Sequence, residues 1–335
     1  MLVGDCWGEQ DERVRSPFQG TSGQELNRLL HEAGIMRSEC YATNLVNKRP
    51  PWGDLGKWIA GAKKDITPTH IKLSGEFVLS PIAEGFDRLH REIALVQPNL
   101  IIALGNWALW ALTGMKSTMK WRGSQLSTPL GVKVLPTYHP SYILRDWSQR
   151  ATTVLDLKRA ARGREYPGPW NNTPKWSFQL RPSFRAAYTT LNELISRLDS
   201  GEALWLDFDL ETSIQTKHIR CAGISWSATE AICIPFTDAT NPEGYWLPEE
   251  EGTLVYLLYR LLCHPLASVR GQNLLFDCQY TYRYWHFVPR VKQDTMISHH
   301  SIFAGMKKSL DFQASMYCDY YKQWKPDKAT WKNGG

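Results

Sequence analysis

Through residues 1–160, short apolar runs alternate with segments of helical period, and most of the runs give way to a polar, turn-forming motif. This alternation is the pattern of a parallel sheet covered by helices, because parallel neighbours need a crossover between them. Leu2-Val3 ends a first strand, and Ser22 is placed to cap a helix whose Leu26, Leu29 and Leu30 share one face before Gly34 stops it. Cys40 to Val46, Leu100 to Leu104 and Val132 to Leu135 read as further strands, while Phe86, Leu89, Ile93 and Val96 recur at helical spacing.

The pattern breaks at Gly163, Pro167-Gly168-Pro169, Asn171-Asn172-Thr173-Pro174 and Arg181-Pro182, a composition of turns and extended backbone. The expected organisation is a domain over 1–162, a linker over 163–182 and a second domain over 183–335. A length of 335 residues has room for both cores. Past the break come a helix with Ala187, Leu191, Leu194, Ile195 and Leu198 on one face, then strands at Ala203 to Phe208, Ile219 to Trp226 and Ala231 to Phe236. Helices at Glu250 to Leu262 and Leu274 to Trp285 flank a strand at Ser268 to Gly271. The fold class is α/β, two three-layer α/β/α domains. Seven cysteines without a Cys-x-x-Cys pair read as reduced and mostly buried. With no long apolar stretch and no signal-peptide pattern, a soluble cytoplasmic protein without a membrane partner is expected. The net charge of +6 is moderate; fifteen Trp and fourteen Tyr are more telling, since flat rings stack on unpaired bases.

Four motifs in the first half occur in a telling order: Gly4-Asp5-Cys6-Trp7-Gly8-Glu9-Gln10, Ser16-Pro17-Phe18-Gln19-Gly20, Tyr41-Ala42-Thr43-Asn44-Leu45-Val46 and Thr137-Tyr138-His139-Pro140-Ser141. Together they resemble the uracil-DNA glycosylase superfamily, in particular its thermophile-type and phage polymerase-fused branches. The resemblance implies excision of uracil from a nucleotide turned out of its stack, with charge gathering on the departing base. It makes His139 the donor to the uracil oxygen, Asn44 the reader of the uracil edge, Phe18 the stacking ring and Asp5 the group that orients water or steadies the cationic sugar. Ser141 would hold a flanking phosphate. The thermophile-type pattern has Glu at the place of Asp5 and Ala-Pro at the place of Cys6-Trp7. Its iron-sulfur cluster needs four cysteines, one pair upstream of the first motif, and none occurs between Cys40 and Cys221; no cluster is expected. The start so near the first strand suggests missing N-terminal residues or a pared-down domain.

In the second half, Asp207-Phe208-Asp209-Leu210-Glu211 ends an apolar strand, and alternation sends Asp209 and Glu211 to one side. Asp277 follows in Gly271-Gln272-Asn273-Leu274-Leu275-Phe276-Asp277. Carboxylates in such a set suit hard divalent cations. The order resembles the DEDD-type 3′–5′ exonuclease domain of family A DNA polymerases, which implies an RNase H-like mixed sheet. It also implies Mg²⁺ or Mn²⁺ on Asp209, Glu211 and Asp277, an orienting role for Asn273, and Asp294-Thr295 as a structural landmark. The fourth carboxylate of that family has no counterpart here: Asp311, Asp319 and Asp327 have the wrong predecessors, so the second domain is expected to be C-terminally incomplete, with residues 331–335 a break inside a loop. His299 and His300, adjacent on a predicted helix, point about 100° apart and read as solvent-facing residues, not as a metal pair.

The combined expectation is the N-terminal portion of a phage-like family A DNA polymerase acting in replication and repair, in a bacterial host cell if phage-encoded. Its partners would be DNA, single-stranded or at a primer 3′ end, and a polymerase domain in the same chain. Lys158, Arg159, Arg162, Arg164, Lys175 and Arg181 could hold the strand between domains, or equally form a solvated helix end and linker. The rival reading is a non-catalytic DNA-binding module, a uracil sensor or clamp with a degenerate exonuclease domain.

Overall fold

Seven strands form in the first half of the chain: β1 (Leu2–Cys6), β2 (Ala42–Val46), β3 (Ile71–Leu73), β4 (Glu76–Val78), β5 (Ile101–Leu104), β6 (Leu126–Ser127) and β7 (Lys133–Thr137). In this computed structural model, which describes residues 1–324 except 214, 239, 240, 242 and 243, they belong to a unit made of Met1–Thr173 and the segment from Asp311. The sheet order is β2-β1-β5-β7-β6; the first four are parallel and β6 is an antiparallel edge, while β3 and β4 form a separate two-stranded sheet. Alternation along each strand builds two cores. Leu2, Ile102 and Leu135 meet the helix Thr21–Glu32 through Leu26, Leu29 and Leu30, whereas Val3, Ile101 and Val134 meet Leu89 and Ile93 of the helix Ser80–Val96. Helices therefore cover both faces.

Two local expectations change. The helix begins at Thr21 with Gly20 as its cap, so Ser22 sits in the first turn; the turn ending at Phe18 folds so tightly over Gly23 that a Cβ there would lie 1.8 Å from the Phe18 carbonyl oxygen. A helix at Asn106–Thr113 follows β5 and was not expected, because Ala108 to Leu112 are all buried and leave no polar face to set a period.

The second unit, Pro174–Leu310, holds β8 (Ser177–Leu180), β9 (Leu204–Thr212), β10 (Ile219–Ser225), β11 (Glu230–Pro235), β12 (Ala267–Gly271) and β13 (Val291–Asp294). The order β13-β12-β9-β10-β11-β8 has β9, β10 and β11 antiparallel, with β12 and β13 parallel to β9. Apart from β8 at the edge, this is the RNase H-like topology. Phe184–Asp199 and Pro248–Leu262 cover one face through Leu191, Leu194, Leu254 and Leu258. The residues Ser177 to Leu180 were expected in the linker; they alternate polar and apolar, and they join the sheet parallel to β11.

The expected domain boundary also shifts at the C-terminal side. Residues from Asp311 belong with the first unit, where Arg122 donates to the Ser315 hydroxyl, Arg159 to the Cys318 carbonyl and the Gln125 amide to the Tyr321 carbonyl. Asp156, fully buried, accepts from Arg122 and from the Thr137 hydroxyl at the end of β7. Asp156→Ala leaves Arg122 and Arg159, both 4% exposed, without this counter-charge. The expected loss is about 3–5 kcal/mol of unfolding free energy, read by urea denaturation. Asp327 and residues 331–335 lie outside the described residues. No helix among the described residues is long and apolar enough to cross a membrane. None of the seven cysteines is fully buried, contrary to expectation: six are half-buried and Cys318 is exposed.

Candidate functional site

The ends of β1 and β7, with the segment after β5, border a cavity of about 790 Å³ in the first unit. Asp5, Trp7, Phe18, Tyr138, His139 and Ser141 line it. Asp5 leaves β1 aimed at the start of the helix Asn106–Thr113, where its Oδ1 accepts from the amides of Trp107 (3.1 Å) and Ala108 (2.9 Å). Gly105, at φ 108°, makes room: a Cβ there would stand 2.6 Å from Asp5 Oδ2. Burial pushes the Asp5 carboxyl up to about 7, against the two amides that hold it down.

His139 is pushed the other way, to about 4, by burial and by Arg145, with Asp11 opposing. Its ring is neutral at pH 7. Nδ1 accepts from the Ser141 amide (3.2 Å) and lies 2.7 Å from the Ser141 hydroxyl oxygen, so the ring proton is assigned to Nε2. Phe18, in the left-handed region at φ 60°, places its ring centroid 6.2 Å from that of His139.

Asn44 is 1% exposed and does not line the cavity. It comes from β2 directly beside Gly4 of β1, and a Cβ on Gly4 would stand 2.2 Å from Asn44 Oδ1 and 2.7 Å from Phe18 Cζ. Among the described residues, neither polar side-chain atom of Asn44 has a hydrogen-bond partner. A buried amide left with a free donor and a free acceptor is costly, and it suits a ligand that supplies both.

Some contributors were not anticipated. Arg88 donates to the carbonyls of Asn44 and Leu45 and to the Thr43 hydroxyl, which holds the end of β2. Asp11 accepts from the amides of Gly8 and Gln19, tying the first motif to the second. The task of Arg88 is defined by contacts distant in sequence. Within the basic stretch, Arg159 is buried on the Gly123 and Cys318 carbonyls and so leaves the set, Arg164 and Arg162 face Glu39 and Asp319, and Lys158, Lys175 and Arg181 are exposed.

In the second unit, Asp209 and Glu211 are exposed on one side of β9, and Asp277 is 2% exposed. Asp277 Oδ1 accepts from the Leu210 amide (2.8 Å), and burial, together with the charges of Asp209 and Asp294, pushes its carboxyl up to about 7. The sequence reading gave these three as one metal-binding set. Among the described residues no three His, Cys, Asp or Glu side chains converge to hold a metal ion, and the tie to Leu210 keeps Asp277 within the packing. Asn273, at φ 60°, precedes the helix Leu274–Trp285, whose first amides donate to Asp294. Asp294 also accepts from Met296 at the start of its own helix, a structural task. His299 is buried at 2% exposure, not a surface residue, while His300 is exposed.

The model of the uracil DNA glycosylase superfamily matches residues 1–161. The Type-4 uracil-DNA glycosylase of Thermotoga maritima is 33% identical over 164 residues, covering 48% of this chain and 74% of that protein. The chain belongs to the uracil-DNA glycosylase superfamily. A second superfamily member, the Type-4 uracil-DNA glycosylase of Saccharolobus solfataricus, is 31% identical over 168 residues, covering 48% of this chain and 68% of its own. Beyond this glycosylase-superfamily domain, the solved structures include Escherichia coli RNase D, at 9% identity and a TM-score of 0.32, over 46% of this chain and 36% of that one. Brucella melitensis NrnC with bound Mg²⁺ is 14% identical, with a TM-score of 0.30, over 48% and 72%. The chain spans about a third of the RNase D length. These likenesses are slight, and the RNase H-like topology of the second unit rests on its own strand order.

Proposed function

We propose that the first unit takes a uracil turned out of a DNA strand into the cavity and releases it by cleaving its N-glycosidic bond. The observation that carries this reading is Asn44, whose unpartnered donor and acceptor match the adjacent acceptor and donor of a uracil edge. Cytosine reverses part of that pattern and leaves a buried amide unpaired. For the base to meet Asn44, the Phe18 ring must turn from its place beside Gly4 and stack on the base. His139, neutral with its proton on Nε2, donates to the uracil oxygen that gains charge as the bond lengthens. Asp5, ionised above pH 7, faces the sugar as positive charge develops there, and either steadies it or orients the incoming water. Incubation with single-stranded DNA carrying uracil should give alkali-labile sites, lost in Asp5→Asn and His139→Ala. Wild-type protein that binds uracil DNA without cutting would favour the sensor reading.

For the second unit we propose metal-dependent 3′–5′ exonuclease activity, in a chain that is part of a phage-like family A polymerase. Asp209 and Glu211, exposed on one side of β9, are the kind of oxygen donors a hard divalent cation takes, and together with Asp277 they would hold it. Bound Mg²⁺ or Mn²⁺ would supply activation of water at the phosphodiester. Asp209 and Glu211 present their oxygens on the open side of β9, and release of Asp277 from the Leu210 amide would bring in the third. A labelled primer should be shortened from its 3′ end with Mg²⁺, not with chelator and not by Asp209→Ala. A wild-type chain that leaves the primer intact would mark the second unit as degenerate. A polymerase domain encoded downstream in the same reading frame is the expected context.

A further inference from the structure

Cys221 on β10 and Cys233 on β11 take no part in either proposed activity. Across the two antiparallel strands Gly223 is in register with Cys233, and Cys221 stands two residues before Gly223. Residues two apart on a strand share a face, so both cysteines project to the same side of the sheet, opposite to the buried Ala222, Ile224, Ile232 and Ile234. Cys221 itself is in register with Pro235, and the partner of Cys233, Gly223, has no side chain to crowd the pair: a Cβ there would meet nothing closer than the Asp209 carbonyl at 3.7 Å. The two cysteines are next-but-one neighbours on one face of adjacent hydrogen-bonded strands, and both are half-buried and free of any disulfide.

We propose that Cys221 and Cys233 form a reversible dithiol–disulfide site, oxidised by low-molecular-weight disulfides such as oxidised glutathione. One cysteine, as thiolate, attacks a sulfur of the reagent, forming a mixed disulfide and expelling one thiolate. The second cysteine then attacks the protein sulfur of that mixed disulfide and expels the other. Two protein thiols and one reagent disulfide become one protein disulfide and two reagent thiols; the cysteine protons pass to the departing thiolates. Because the pair is diagonal and not directly opposite, closing the bond distorts the local pairing of β10 and β11, which makes it easily reduced. Register places the bridge on the face that carries Asp209 and Glu211, opposite Gly223 and Cys221 respectively.

The test treats the full chain with oxidised glutathione, blocks remaining thiols, and digests at Trp226 or Glu230, which lie between the two cysteines. The expected result is two fragments joined through Cys221 and Cys233, lighter by two hydrogens, separated by dithiothreitol. Cys221→Ser should instead keep a stable glutathione adduct on Cys233, or Cys233→Ser one on Cys221. The native-protein mapping stands even if the variants fold poorly. Both cysteines remaining free to alkylation, or persistent glutathione adducts on the native chain without a joined fragment, would overturn the proposal.

Discussion

Asn44→Ala is expected to lower kcat/KM for uracil release by about 10²-fold or more while leaving the protein as stable as before, within about 1 kcal/mol. The two halves of that result have one cause. In the free protein the Asn44 amide makes no hydrogen bond, so truncating it removes no partner; in the complex it would make the contacts that define the base. A structural asparagine behaves in the opposite way, losing stability and activity together. The loss should be larger against uracil than against an abasic competitor, which never reaches the amide. Urea denaturation and steady-state kinetics on the same preparation separate the outcomes. A variant that unfolds more easily but cuts uracil DNA at the normal rate would remove Asn44 from the site.

Asp5→Asn is expected to cost about 10² to 10⁴ in rate, because a carboxylate at the sugar can answer developing positive charge and an amide cannot. The same change should raise stability at pH 8. The folded-state pKa is raised, from an ordinary 3.8 to about 7. The stability tied to the neutral form is therefore complete below the unfolded value and is lost as pH climbs through about 7. An asparagine keeps an oxygen for the amides of Trp107 and Ala108 and never carries the buried charge. Since the carboxyl opens on the cavity, the gain at pH 8 is discounted to about 1–2 kcal/mol, vanishing near pH 4. The wild-type rate should rise along an acid limb centred near pH 7, with His139 already neutral there. A flat profile from pH 5 to 8, with no stability gain in the variant, would show that Asp5 does not carry this charge.

Much of the fold was legible because burial leaves a periodic trace. Leu26, Leu29 and Leu30 announced their helix, and the alternation of Leu206, Phe208 and Leu210 with Asp207, Asp209 and Glu211 announced β9 and its two outward carboxylates. The helix Asn106–Thr113 was not legible, since a segment buried all round has no period. Nor was the placement of residues after Asp311, which depends on Arg122 and Arg159 reaching Ser315 and Cys318 across more than a hundred residues. At the site, strand ends located Asp5 and His139. They did not reveal that Asn44 sits outside the cavity lining beside Gly4, or that Asp277 is held on the Leu210 amide, because both follow from packing between segments distant in the chain.

The most direct test of the account is a count of free uracil. A single-stranded oligonucleotide with one labelled uracil is incubated with excess protein in chelator, which silences any metal-dependent trimming, and the released base is separated by chromatography. Free uracil is expected from the wild-type chain in amounts approaching the DNA supplied, and almost none from Asp5→Asn or His139→Ala. Label that stays in the oligonucleotide while the protein remains bound to it would contradict excision and leave a domain that recognises uracil without removing it.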